Sequence, residues 1–329
     1  MNQPRRVGIA GIGYYLPERV LTNRELESRL DTTDEWIVSR TGIKERCLAG
    51  PEQSASDLGV IAAERALADA GIAASDLDII VTATASPDMV FPATGCLIQS
   101  RIGASQAGAF DLNAVCSGFL YAYITGAALV RSGQAERVLV VATEKFSSLL
   151  DWQDRSTCVL MGDGAGAIVL TADAPHGELL SSLMGADGQG IEYLWIPAGG
   201  SKQPTSHETV DQRLHYMKMN GPEIYKFGVR IIGEAVARAL KQAGLKESDL
   251  DLLIPHQANI RILQSAAKRF DLPMEKVLVN IERYSNTSAA SVPIALGEAK
   301  ERGLLKPGMN VALVAFGAGL TWGSAILRW

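Results

Sequence analysis

Cysteine and histidine are both scarce, with four of each in 329 residues. Cys47, Cys96, Cys116 and Cys158 lie far apart with no paired spacing, which argues against a disulfide framework or a cysteine-built zinc site. His176, His207, His215 and His256 are equally scattered, so a histidine metal cluster is not expected. Charge of one sign is lacking too: 31 Lys and Arg stand against 36 Asp and Glu, a net charge of −5. That balance excludes a general affinity for nucleic acid or anionic membrane and leaves room only for a local basic patch. No apolar run reaches bilayer length, and the longest, 118–130, is interrupted by Thr125 and glycine. Arg5 and Arg6 precede a short apolar stretch, but Gly8, Gly11 and Gly13 and the missing cleavage pattern read as a first strand, not a signal peptide. A cytoplasmic protein is expected.

What is present, 47% hydrophobic and 20% charged residues, is the balance of a globular enzyme with a large core. Helical and strand-like stretches alternate. A helix over 55–70, with Ser54 and Ser56 as candidate caps and Gly71 as its stop, leads to a β-branched strand over 79–84; further strands fall at 137–143 and 165–171. The alternation predicts parallel α/β layers. An internal repeat is stronger still. RALADAGIAASDLD at 65–78 matches RALKQAGLKESDLD at 238–251 without gaps, nine identities in fourteen positions, each followed by an apolar strand. The offset of 173 residues makes each unit a whole α/β half rather than a solenoid repeat.

A strand over 107–112, the small residues Ala114, Ser117 and Gly118, and an apolar helix over 118–131 put Cys116 at a helix N-terminus. Unpaired N–H groups and the helix dipole there favour the nucleophilic thiolate; a buried structural cysteine is the alternative reading. In the second half a strand over 277–281 runs through ERYSNTSAAS into a helix near Ser288, which places Asn286 at the same strand-to-helix corner. His256 ends the strand 252–254, where open α/β sheets hold their ligands. A thiolate suits acyl transfer between thiols. Its oxyanion needs donors, and the backbone N–H of Cys116 and of Ala318, in the turn FGAGLTWG, can supply them. Asn286 and a neutral His256 can donate to a second oxyanion, such as the enolate left when carbon dioxide departs. The same three residue types also fit a papain-like protease, but the CGSCW-type signature is absent.

Over essentially its full length the chain resembles bacterial β-ketoacyl-[acyl-carrier-protein] synthase III, of the thiolase-like condensing enzymes. The motifs that carry this are TDEWIVSRTGIKER at 33–46, FPATGCLIQ at 91–99, AVCSGF at 114–119, MGDGAGAIVL at 161–170, PHQANIRI at 255–262, NTSAAS at 286–291 and FGAGLTWGSA at 316–325. The resemblance implies a duplicated, five-layered α/β/α/β/α fold, with residues 1–173 carrying the cysteine and 174–329 the histidine and asparagine. It also implies a homodimer and decarboxylative condensation of an acyl-CoA, acetyl-CoA foremost, with malonyl-acyl carrier protein; coenzyme A thioester is then substrate, not cofactor. By motif, Cys116 is acylated and His256 and Asn286 assist decarboxylation. Trp36, Arg40, Arg155 and Asn259 contact coenzyme A, and Phe91 reaches across the dimer to the acyl pocket. Carrier protein meets Gln257, Ala258, Asn259, Ile260 and Arg261, with Lys226, Lys268 and Arg269. Two positions depart from the pattern: Ser285 stands where glycine is commoner, and Ala318 in a turn that is often all glycine.

One amphipathic helix bears on the partner. From Asn259 to Phe270, Ile260, Leu263, Ala267 and Phe270 form an apolar face, while Arg261, Ser265, Lys268 and Arg269 form a basic one that would suit an acidic carrier protein. Three alternatives stay open: a relative serving secondary metabolism, a thiol hydrolase, and a non-catalytic carrier-binding paralogue.

Overall fold

The structure, a computed structural model, describes residues 5–172 and 174–329. The expected division of the chain at 173/174 falls beside Asp173, which lies outside the described residues. In chain order the first part holds β1 (Val7–Tyr15), β2 (Arg19–Thr22), α1 (Asn23–Glu27), α2 (Asp34–Thr41), β3 (Glu45–Leu48), α3 (Ala55–Ala70) and β4 (Ile79–Ala83). Then come α4 (Thr94–Arg101), β5 (Gly108–Leu112), α5 (Gly118–Ser132), β6 (Arg137–Glu144), β7 (Gly164–Ala172) and β8 (Glu178–Ala186). The remainder comprises β9 (Leu194–Trp195), α6 (His207–Asp211), β10 (Lys218–Met219), α7 (Gly221–Gln242), β11 (Leu252–Pro255), α8 (Ile260–Arg269), α9 (Ile281–Tyr284), α10 (Ser291–Glu301), β12 (Asn310–Gly317) and β13 (Thr321–Arg328).

Two sheets organise the molecule. The first has the order β1-β7-β6-β4-β5 and the second β11-β12-β13-β8. The expectation of parallel layers is only partly met: β4 pairs in parallel with β5 and β6, and β11 with β12, whereas β7, β8 and β13 run antiparallel to their neighbours. Helix α3 covers one sheet, α5 and α10 lie between the two, and α7 with α8 covers the other, which makes five layers. Packing explains the composition of α5: with sheets on both sides it buries Phe119, Leu120, Ala122, Tyr123, Gly126, Ala127 and Val130, so it is apolar all round. Each large apolar side chain buried there stabilises by about 1.5–3 kcal/mol.

The repeat is visible as structure. After α3 and after α7 comes a glycine with positive φ, Gly71 at 64° and Gly244 at 72°, a short 3-10 turn, and a strand, β4 or β11. A left-handed stop of this kind costs glycine little. Ser54 is the N-cap of α3, its N–H bonded to Asp57 at 2.6 Å, while Ser56 turns instead to Asp88. The strand expected over 277–281 is replaced by a single bridge from Val277 to Leu253, with α9 beginning at Ile281.

Candidate active site

Both corners between sheet and central helix are built alike. Asn113 Oδ1 accepts from the N–H of Val115 at 3.1 Å, and Asn286 Oδ1 accepts from the N–H of Ser288 at 2.8 Å. Val115 and Ser288 then take φ of 47° and 50°, a 3-10 turn follows, and a helix starts at Gly118 or Ser291. Counting back five residues from each helix start, Asn286 corresponds to Asn113, and Cys116 to Ala289. The two corners match as expected, but Asn286 enters its own three residues earlier than Cys116 does. A β-branched residue with left-handed φ directly before the cysteine is an outlier that points to function.

Cys116, His256 and Asn286 line one cavity of about 360 Å³, with Arg40, Asn259, Arg261, Phe316 and Gly317 among the other walls. Cys116 is buried, and burial pushes its thiol up to about 12; the Ser288 hydroxyl opposes the shift, the Glu144 charge adds to it, and its own backbone N–H opposes it. Burial thus opposes the thiolate that the helix N-terminus favours. Gly317 lies so close that a Cβ there would sit 2.8 Å from the Cys116 nitrogen. Ala318 is not among the residues of positive φ, so the exchange of glycine for alanine in this turn is compatible with its backbone. Thr321 Oγ1 ties the turn down, its single proton within reach of Ala318 O at 3.0 Å or Ala114 O at 3.1 Å.

His256 follows β11, as expected, and is 1% exposed. Burial pulls its imidazole down to about 3, so the ring is neutral, and Nδ1 lies 2.6 Å from Ser291 Oγ. When that hydroxyl donates, Nε2 carries the proton and can donate into the cavity. The Asn286 Oδ1 is held by Ser288, which leaves Nδ2 as its donor.

Around the mouth, Trp36 is contacted by two guanidinium groups, Arg40 at 4.8 Å and Arg155 at 5.3 Å from its ring centre. Arg155 is anchored to Asp31. Asn259 caps α8, accepting from Arg261 N at 2.9 Å, and donates to Arg40 O at 2.9 Å, so its amide holds two elements together. Phe91 is 83% exposed on an apolar tip with Met89 and Val90, away from the cavity walls of its own chain.

The carrier-contact set needs correction at Gln257. Gln257 is fully buried, its amide donating to Pro255 O and Leu278 O and accepting from Asn280 N and Ile281 N, so it has no face for a partner. Arg269 is held bidentately by Glu247 at 2.8 and 2.9 Å, and Lys226 is paired with Glu223 at 2.7 Å. Arg261 and Lys268 remain exposed without a carboxylate partner among the described residues, Arg261 lying 5.6 Å from the Tyr225 ring. Ala258 and Ile260 are half-buried. The buried face of α8 is Ile262, Leu263, Ala266 and Ala267 followed by Phe270; of the stripe read from the sequence, Leu263, Ala267 and Phe270 are buried and Ile260 is half-buried.

Of the other cysteines, Cys47 and Cys158 are buried and Cys96 is exposed. His207 is at the surface, and half-buried His215 bonds to Thr209 at 2.9 Å. Three neighbours of the site escaped the sequence reading: Glu144, Ser288 and Ser291. The signal for Glu144 was a lone carboxylate closing the apolar strand β6. Fully buried, it accepts from Ser86 Oγ at 2.5 Å and Ala85 N at 3.2 Å, and burial raises it to about 7 against those bonds and the opposing effects of Ser288 and Ala289.

Five layers closing on a cysteine-bearing turn are the architecture of the thiolase-like condensing enzymes. Residues 110–188 match the family model described as 3-oxoacyl-[acyl-carrier-protein (ACP)] synthase III, and residues 240–329 match its C-terminal model. The β-ketoacyl-[acyl-carrier-protein] synthase III of Caldanaerobacter subterraneus subsp. tengcongensis is 50% identical over 322 residues, 98% of this chain and 97% of the relative. That of Symbiobacterium thermophilum is 50% identical over 325 residues, 99% and 98% of the two chains. The crystal structure of the Aquifex aeolicus synthase III superposes with a TM-score of 0.91 at 44% identity, covering 98% of this chain and all of the other. The priming β-ketosynthase of the R1128 polyketide pathway gives 0.90 at 34%, covering 100% and 98%. The chain belongs to the β-ketoacyl-[acyl-carrier-protein] synthase III family of condensing acyltransferases.

Proposed function

We propose that the protein starts type II fatty-acid synthesis in two half-reactions. An acyl-CoA primer, acetyl-CoA foremost, passes its acyl group to Cys116; malonyl-acyl carrier protein then loses carbon dioxide, and the resulting carbanion attacks the acyl-enzyme to give 3-oxoacyl-acyl carrier protein. The observation that carries this reading is the convergence of Cys116, His256 and Asn286 on one cavity, with a neutral imidazole. In the first half-reaction the N–H groups of Cys116 and Ala318 hold the oxyanion; in the second, His256 Nε2 and Asn286 Nδ2 hold the enolate oxygen. No charge change of either side chain is required. Trp36, Arg40, Arg155 and Asn259 receive coenzyme A, and Arg261 and Lys268 lead the approach of an acidic carrier protein.

The chain is read as two halves, 1–173 and 174–329. Support comes from the sheets, one drawn wholly from residues up to 172 and the other from residues beyond 177. We read the enzyme as a cytoplasmic homodimer without cofactor or nucleic-acid partner; no helix among the described residues is long and apolar enough to cross a membrane. The exposed tip at Phe91 is the segment assigned to reach the partner's acyl pocket. Similarity to a priming ketosynthase of a polyketide pathway favours, as second reading, a role in secondary metabolism. Purified protein incubated with malonyl-carrier protein and acetyl-, isobutyryl-, isovaleryl- and longer acyl-CoA primers tests the condensing activity itself. Condensation with the short primers is the expected result; condensation with none leaves the hydrolase and paralogue readings.

A further inference from the structure

We propose that Gln257 is a positioning residue of the condensation half-reaction: its buried amide ties the end of β11 to the segment leading to Asn286, and so sets the two enolate donors, His256 and Asn286, relative to each other. This rests on the proposed roles of His256 and Asn286. Gln257 is fully buried, although it comes directly after the histidine that lines the cavity. A buried amide is costly unless its hydrogen bonds are made. Here all four are. Nε2 donates to Pro255 O at 2.9 Å and Leu278 O at 3.0 Å, and Oε1 accepts from Asn280 N at 3.0 Å and Ile281 N at 3.2 Å. Two carbonyl oxygens at one end and two N–H groups at the other fix the orientation of the amide.

Every partner is backbone, and the partners belong to the two segments that deliver the donors. Beside β11 the chain from Val277 begins as a strand would: Leu278 N donates to Leu253 O at 2.9 Å, next to the bridge from Val277 to Leu253. There the ladder stops, and the Gln257 amide takes the place of the next peptide group, bonding Leu278 O and Asn280 N as a neighbouring strand would. On the β11 side the Pro255–His256 peptide is gripped at both ends, its oxygen by Gln257 Nε2 and its N–H by Val314 O at 2.8 Å, which sets the direction in which His256 leaves the backbone. On the other side Oε1 binds the first N–H groups of α9, a single turn closed by Ser285 N on Ile281 O at 2.9 Å, and Asn286 comes next. Asn286 itself is bonded to a third segment, its N–H to Leu160 O at 3.0 Å and its oxygen to Gly162 N at 2.9 Å. Those bonds fix it against 160–162; Gln257 fixes its segment to the strand of His256.

Cys116 does not depend on this clamp. It stands on the turn Val115–Ser117, which packs against β12, β13 and the turn Ser288–Ala290, and Gln257 bonds to none of these. The amide therefore bears on the donors of the second half-reaction and leaves the nucleophile of the first in place. A displacement of about 1 Å in such a constellation costs on the order of 10²-fold in rate.

Gln257→Glu tests this. It keeps an oxygen for Asn280 N and Ile281 N but puts a second oxygen against the carbonyls of Pro255 and Leu278. Single-turnover acetylation by acetyl-CoA, read by intact mass, should stay within about threefold of wild type, while kcat for condensation with malonyl-carrier protein falls on the order of 10²-fold and KM changes by less than about threefold. Because the residue acts through the donors, Gln257→Glu should cost less rate in a His256→Ala background than in wild type. Equal loss of both half-reactions, a raised KM with kcat kept, wild-type condensation, or full additivity with His256→Ala each overturns the proposal. If Gln257→Glu does not fold, Gln257→Asn, whose amide is too short to reach both segments, carries the same readouts; failure of both variants to fold makes Gln257 a residue of the fold alone and overturns the proposal. Wild-type condensation in His256→Ala and Asn286→Ala would instead overturn the donor roles on which it rests.

Discussion

Cys116, His256 and Glu144 are each shifted by burial toward the neutral form; Cys116 and His256 line the cavity, and Glu144 is buried outside its walls. For His256 and Asn286 the consequence is a split between half-reactions. His256→Ala and Asn286→Ala should still become acetylated while condensation falls by about 10²- to 10³-fold, as for the loss of an oxyanion donor. Failure of His256→Ala to acylate would make the histidine the thiol's base. Glu144 also leaves a mark on stability. Its folded value lies above the ordinary 4.5, so the native state is favoured by the proton: below about pH 4.5 the carboxyl weakens nothing, and stability falls as pH rises toward 7. Glu144→Gln should therefore gain on wild type between pH 5 and pH 8, by an amount on the order of 3 kcal/mol, read from denaturant midpoints. At Ser285, φ of 58° and ψ of −156° occupy a region that is nearly exclusive to glycine. Ser285→Gly should stabilise by about 1–3 kcal/mol with acylation intact; an unchanged or lower thermal midpoint would contradict this.

Among the elements, α8 shows what a pattern can and cannot reveal. Its basic residues were legible, but the ion pair that engages Arg269 comes from Glu247, 22 residues away on another element. Arg261→Glu and Lys268→Glu should raise KM for malonyl-carrier protein while leaving acylation by acetyl-CoA near wild type, and the effect should shrink with salt, since exposed charges are screened beyond about 8 Å at physiological ionic strength. Arg269→Ala should do less. Equal losses in both half-reactions would reassign the helix to folding alone. The turn after β12 makes a sharper demand. Gly317→Ala should slow acylation by about 10²-fold or more, because its Cβ would crowd the Cys116 nitrogen; wild-type acylation in that variant would remove this nitrogen from the oxyanion site.

Over the whole molecule, the duplicated helix–turn–strand units and the two corners were legible because glycine stops, small turn residues and apolar strands are local signals. Strand direction was not: the period of a strand reports its faces, and β7 and β13 read alike whether parallel or antiparallel to their neighbours. Burial of the thiol and the bonding of Gln257 to Leu278, Asn280 and Ile281 depend on residues apart in the chain, and no spacing encodes them. What remains is whether the assembled pocket does acyl chemistry on its cysteine. Intact-mass analysis of the purified protein after exposure to acetyl-CoA asks this directly. Wild type should gain a single acetyl group that disappears on addition of malonyl-carrier protein, and Cys116→Ser should gain none; acetylation persisting in Cys116→Ser, or absent from wild type, would contradict the account.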